Sequence, residues 1–323
     1  MQLQTPKIEI YRTRTFTDKL GDTFNFLREN WRTILKYFVY IMLPVSMVLA
    51  FFANHFWNGY ISLITTISSA GSMDDSGLIS FGLSSLATLI VGIISYMILI
   101  TLIFAMIRLH TVRQERLANL SFEELKPELW FCLKRCLYMT LVGVVIIVAL
   151  LVLVALVMVL LFALNEVLAL LGVVLIYALV LAVLLPLTMV PPVYLLEDNV
   201  GVFEAYLKGV RLGFATWGGI FAITFVVGFI TGVIQSFTMM PWYLLSMVKM
   251  MITVADKQEG GFFNSFLYDF IQYLTCILSC LGYFISCVIT IVATTIQYGH
   301  ASDKIDGVGV AKNIERFDEF DNF

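Results

Sequence analysis

Apolar residues run almost unbroken from Leu141 to Leu196, and only Asn165 and Glu166 interrupt them with charged or amide side chains. Two helices of about 20 apolar residues each would cross a hydrocarbon core of about 30 Å. The polar pair between them predicts a tight hairpin at the far surface. These are two of six predicted spans, at about 34–53, 83–109, 137–163, 167–190, 218–237 and 266–297. Pro44 predicts a kink in the first. Pro186, Pro191 and Pro192 stop or bend the fourth near the surface. The sixth is longer than a bilayer needs, so it tilts or protrudes. Asn54–Gly82 reads as a long outer loop, and Met239–Val254, broken by Pro241 and Lys249, as an interfacial or re-entrant piece.

A second pattern precedes three of the spans. Phe16, Leu20, Phe24, Leu27 and Trp31 recur at steps of three and four, with Asp18, Lys19, Asp22, Arg28, Glu29 and Arg32 on the other side. Phe122, Leu125, Leu129, Leu133 and Cys136 repeat the pattern against Glu123, Glu124, Lys126, Glu128, Lys134 and Arg135. Phe203, Tyr206, Leu207, Val210 and Phe214 do so against Glu204, Lys208 and Arg211, after Glu197-Asp198-Asn199, a sequence suited to capping a helix start. Such stripes predict amphipathic helices lying in the membrane interface. The expected fold is all-α: a polytopic membrane protein of six transmembrane helices with three cytoplasmic-side amphipathic helices, a pseudo-repeat of amphipathic helix plus helical hairpin. Residues 1–298 form one transmembrane domain under this reading, 1–15 an extended arm and 299–323 a cytoplasmic polar tail. Phe317, Phe320 and Phe323 in that tail would dock as a short linear motif or belong to a frayed end.

Composition agrees. Of 323 residues, 60% are hydrophobic and 13% charged, with mean hydropathy +0.91; soluble domains carry about 25% charge. The distribution of charge says more than its sum. Of 20 Lys and Arg, all but Lys249 and Lys257 fall in segments that six crossings put on one side. By the positive-inside rule that side is the cytoplasm, and it holds both termini. The three amphipathic helices fall there too. No cleavable signal peptide is evident, so the first span would serve as an uncleaved signal-anchor.

Chemistry is sparse. The spans hold essentially no ionisable residue, which argues against a proton-coupled transporter. Gln235, Asp269 and Gln272 are cavity candidates, although a hydrated helix end explains Asp269 and Gln272, and a hydrogen bond between helices explains Gln235. His55, His110 and His300 lack metal-site spacing, and no nucleophile elbow, phosphate loop or dinucleotide fingerprint occurs. The five cysteines, Cys132, Cys136, Cys276, Cys280 and Cys287, read as small hydrophobes. Gly228, Gly232 and Ser236 form a small-residue face on span five; Gly282 and Ser286 form another on span six. Those faces would pack spans five and six together or form a homo-oligomer contact. Arg28, Arg32, Lys36, Lys134, Arg135, Lys208 and Arg211 are candidates for lipid headgroups, with simple topological anchoring as the plainer role.

YLLEDNVGVFEAYLKGVRLGF (194–214) resembles a segment of a broad bacterial group of six-helix membrane proteins, which includes the membrane domain attached to some glycerophosphodiester phosphodiesterases. Glu204, Ala205, Lys208, Arg211 and Leu212 fit its pattern, while Gly209 stands where serine is common. Residues 11–37 resemble the start of bacterial inner-membrane proteins of similar length. The resemblance implies six spans in a bacterial inner membrane and no reaction, because the phosphodiesterase activity belongs to a soluble domain. The expected function is that of a non-enzymatic subunit or scaffold in an envelope or lipid-related complex. Membrane lipids, other membrane proteins or a second copy would be its partners; no cofactor, metal or nucleic acid is called for. The alternative is a small transporter or lipid-handling permease, with Pro44 and Pro186 as hinges and Gln235, Gln272 or Tyr96 lining its path.

Overall fold

The computed structural model describes residues 7–70, 75–113, 115–256 and 265–309. Over these the chain is helical, with no strand, in the order α1 (Phe16–Ala70), α2 (Asp75–Val112), α3 (Phe122–Leu164), α4 (Glu166–Leu187), α5 (Val190–Leu196), α6 (Val202–Ala215), α7 (Trp217–Asp256) and α8 (Phe266–Asp306). Six stretches are long and apolar enough to cross a membrane, one each on α1, α2, α3, α7 and α8 and one over α4–α5. The protein is a multi-pass, all-α membrane protein. Asp74, Lys257, Lys312, Arg316, Phe317, Phe320 and Phe323 lie outside the described residues.

Local chemistry accounts for the helix ends. Ser121 Oγ accepts from Glu124 N at 3.3 Å to start α3, with Glu123 and Glu124 in its first turn, where carboxylates suit the helix dipole. Asn165 serves two helices: its N–H closes α3 on Leu161 O at 3.0 Å, and its Oδ1 accepts from Val167 N at 2.7 Å to open α4. The hairpin is therefore a single residue, tighter than the pair expected.

Several boundaries differ from the sequence reading. Asn54–Ala70 is not loop but the continuation of α1. Residues 239–254 are not a separate piece but the continuation of α7, which runs through Pro241 without a break. A proline removes one backbone bond, and here side chains hold the helix in the turns that follow it. Trp242 Nε1 donates to Asn54 Oδ1 at 2.8 Å, and Lys249 Nζ reaches Asn58 Oδ1 at 3.3 Å and Asp269 at 3.9 Å. α8 continues to Asp306, so residues 299–306 are helix rather than tail. The amphipathic segments at 16–31 and 122–136 are the first turns of α1 and α3, and only the third, α6, is a helix of its own.

The chain divides into two compact units. One comprises 32–99 and 228–290. Its core gathers Ala50, Cys276 and Ile277 with Trp242, Tyr273 and Leu281 around them. Here α8 packs on α7 through small residues: a Cβ at Gly282 would lie 2.5 Å from Thr238 Cβ, and Ser286 Oγ donates to Thr231 O at 3.1 Å. The expected partners on α7 were Gly228, Gly232 and Ser236. All three are exposed, and nothing lies within 4 Å of a Cβ built at either glycine.

The other unit comprises 1–31, 100–227 and 291–323. The α3–α4 hairpin stands in it with none of α3's most apolar stretch buried. α6 packs through Ala205, Gly209, Leu212 and Gly213. A Cβ at Gly213 would lie 2.5 Å from Pro186 Cα, and one at Gly209 would lie 3.0 Å from Val190 Cα. That close approach explains glycine at 209, where a serine would push α6 off α5.

Candidate functional site

The polar residues of the second unit assemble into one connected layer. Arg14 anchors the arm. Its side chain is only 2% exposed; Nε donates to Asp22 Oδ2 at 2.6 Å and Nη1 to Ile10 O at 2.9 Å and Arg12 O at 3.0 Å. Its backbone N–H donates to His300 Nδ1 at 2.9 Å, and Thr13 N donates to Asp303 Oδ2 at 2.8 Å. The arm is thereby tied to the end of α8, and Gly299 gives it room, since a Cβ there would meet Ile10 C at 2.7 Å.

A second cluster grips the turn between α5 and α6. Arg108 Nε donates to Glu128 Oε2, and Nη1 donates to Asp198 Oδ1, both at 2.8 Å, with the guanidinium 4.4 Å over Phe131. Arg135 sits 4.2 Å over Tyr194 and donates to Asp198 O at 3.1 Å and Val200 O at 2.8 Å. Lys208 Nζ donates to both Glu197 oxygens at 2.7 Å, and Arg211 donates to Asp306 Oδ1 at 2.7 Å. Tyr298 also donates to Glu197. Glu197 and Asp198 are ion-pair partners rather than a helix cap; α6 starts at Gly201, whose N–H reaches Glu204 Oε2 at 3.4 Å. Tyr11 meets Tyr298 edge to face at 6.0 Å, and burial pushes its hydroxyl up to about 12, so it stays neutral at ordinary pH.

The headgroup candidates therefore divide. Arg28, Arg32, Lys36 and Lys134 are exposed. Arg135, Lys208 and Arg211 engage partners within the chain. The first and third amphipathic stripes face outward, with Phe16, Phe24, Trp31, Phe203, Leu207 and Phe214 exposed, whereas the second turns inward from Phe122, with Leu125 and Cys136 fully buried. The protein-facing side of α1 is instead Lys19, Thr23, Phe26 and Asn30. Where lipid is the solvent, an apolar stripe is the outward, lipid-facing side, and the helix turns its polar side inward.

The cavity candidates all lie on α7 and α8. Gln272 is 1% exposed and donates to Ser246 Oγ at 3.2 Å, Asp269 is exposed, and Gln235 is half-buried on α7. His110 is fully buried against Phe26 at 4.9 Å, while His300 on α8 is engaged by the arm at Arg14. Among the described residues no cluster of three His, Cys, Asp or Glu side chains has metal-binding geometry.

One hollow of about 330 Å³ opens beside this layer. Its wall is the Phe214–Gly219 segment between α6 and α7, with Lys19, Gln297, His300 and Lys304. Sequence reasoning passed over Lys19, Gln297 and Lys304, which come together only through the fold. The Gly218–Gly219 pair after Trp217 was the available signal. The chain matches no family model, no curated protein and no solved structure.

Proposed function

We propose that the chain is a non-enzymatic protein of the bacterial inner membrane, both termini cytoplasmic, serving as a subunit or scaffold in an envelope or lipid-related assembly. The observation that carries this reading is the outward face of α7 at Gly228, Gly232 and Ser236. Small residues let membrane helices approach closely, and the chain's own α8 uses Thr231 and Thr238 instead. A transmembrane helix of a partner fits that open face. The exposed aromatic residues Trp31, Tyr40 and Trp130 beside Arg28, Arg32, Lys36 and Lys134 suit inner-leaflet headgroups, at about 1 kcal/mol per cation near anionic lipid. The one-sided Lys and Arg distribution supports cytoplasmic termini, and the resemblance of 11–37 and 194–214 supports a bacterial inner membrane.

A photo-crosslinking residue placed at Phe229 or at Leu207, both outward-facing, tests this in native membranes. At Phe229 a discrete protein adduct of reproducible mass is expected, and at Leu207 lipid adducts. Lipid adducts alone at Phe229, together with a monomer after gentle extraction, would overturn the subunit reading.

A further inference from the structure

The hollow at the start of α7 has the chemistry of an anion site. α7 is a helix of 40 residues with no acidic side chain in its first turn. The first N–H groups of a helix have no intrahelical partner and carry the positive end of its dipole. The adjacent hydroxyl is turned away: Thr216 Oγ1 donates back to Leu212 O at 2.9 Å. Gly218 and Gly219 leave the backbone open to close approach, which is the usual arrangement for phosphate at a helix start.

A helix start is not by itself a site. The independent observation is Gln297. It is fully buried, it lines the hollow, and both its amide atoms lack a hydrogen-bond partner. Its Nε2 lies 3.0 Å from where a Cβ at Gly219 would stand, so the amide is held against the first turn of α7. Leaving a buried amide unpaired is unfavourable, and an oxyanion oxygen would give its Nε2–H an acceptor.

Two cations add to it. Lys19 is 5% exposed, and among the described residues neither its ammonium nor that of Lys304 makes a hydrogen bond or ion pair. The acids beside them are occupied: Asp18 accepts from Thr15 Oγ1 at 2.7 Å, and Asp303 from Thr13 N and Gly309 N. His300 accepts at Nδ1 from Arg14 N, so the neutral ring carries its proton on Nε2 and is a further donor. Two ammonium groups, an imidazole N–H, an amide N–H and free backbone N–H groups form a donor set for a tetrahedral oxyanion.

The rim indicates the rest of the ligand. Trp217 lines the hollow and stacks on Phe221 at 5.5 Å, and Phe221 stacks on Phe225 at 5.9 Å. All three rings are at least partly exposed, a ladder leading from the mouth along α7. An acyl chain fits such a track.

We propose that the hollow bounded by Lys19, Trp217–Gly219, Gln297, His300 and Lys304 binds a phosphate group, with the Trp217–Phe221–Phe225 ladder accepting the acyl chain of a phospholipid that carries it. This goes beyond the subunit reading and does not depend on it.

The test uses the full-length protein in a neutral detergent with three probes: dioleoyl phosphatidic acid, dioleoylglycerol and inorganic phosphate. Binding is read by native mass spectrometry and by the rise in thermal midpoint. Phosphatidic acid is expected to bind and stabilise while dioleoylglycerol does not. The double variant Lys19→Gln, Lys304→Gln should weaken that binding at least roughly tenfold. Gly219→Val keeps every charge yet fills the cradle beside Gln297, and should weaken it comparably. Competition by millimolar inorganic phosphate, with no preference for the lipid, would assign the source as free phosphate within the same site. Equal binding of dioleoylglycerol, or undiminished phosphatidic acid binding by both folded variants, would overturn the proposal.

Discussion

Replacing Glu197 by alanine is expected to lower the thermal midpoint of the purified protein by about 5 °C, corresponding to roughly 3 kcal/mol. Glu197 takes both short bonds from Lys208 and a third from Tyr298. Its side chain and that of Lys208 are each 19% exposed, so solvent neither replaces nor fully screens the pair. Removal takes the carboxylate acceptor from the buried Tyr298 hydroxyl, and leaves Lys208 with Asp306 at 3.7 Å. Breaking one side of a buried pair costs more than the pair is worth, because the stranded charge stays. Glu197→Gln keeps an acceptor and should lose less than half as much. A cycle with Lys208→Met should show strong coupling; additive effects within about 0.5 kcal/mol would mean that the two side chains do not act together.

Gly282→Leu and Gly232→Leu are expected to move stability in opposite directions. At 282 a side chain would drive into Thr238, whose Cβ and Cγ2 lie 2.5 and 2.7 Å from the added Cβ. Separating α8 from α7 there also strains the bonds from Ser279 Oγ to Thr238 O at 3.2 Å and from Ser286 Oγ to Thr231 O at 3.1 Å. Overpacking of this kind costs about 1–3 kcal/mol or more. At 232 the added side chain meets open space, and leucine favours helix over glycine by somewhat less than 1 kcal/mol. Unfolding of the two variants in detergent, read by circular dichroism, distinguishes the positions. Equal destabilisation would contradict the assignment of Gly282 as the contact and Gly232 as the open face.

Much of the architecture was legible in residue pattern. The apolar run broken at Asn165-Glu166 is a helical hairpin, and the other spans follow from length and hydropathy, because a bilayer admits few alternatives for a backbone that must satisfy its own hydrogen bonds. What failed depended on distant partners. Pro241 and Lys249 looked like a break, since nothing local says that Asn54, Asn58 and Asp269 would support that part of α7. The polar run after Tyr298 looked like tail, since its helix is held by the arm at Thr13 and Arg14. The stripes at Phe16–Trp31 and Phe203–Phe214 were legible as a helical period, but period alone does not say which face meets protein. Gly228 and Gly282 share a small-residue signature, and only packing separates them. The hollow at α7 was the least legible feature, because its donors come from α1, α7 and α8 and carry no motif.

The account rests on six crossings with the arm, the α2–α3 and α5–α6 turns and the end of α8 on the cytoplasmic side. Paired reporters, one active only outside the inner membrane and one fluorescent only inside, can be fused after Ala118, Asn165, Asn199 and Phe323. Inside signals are predicted at Ala118, Asn199 and Phe323, and an outside signal at Asn165. An outside signal at Ala118 or Asn199 would contradict the topology and with it the reading of this polar layer as a cytoplasmic face.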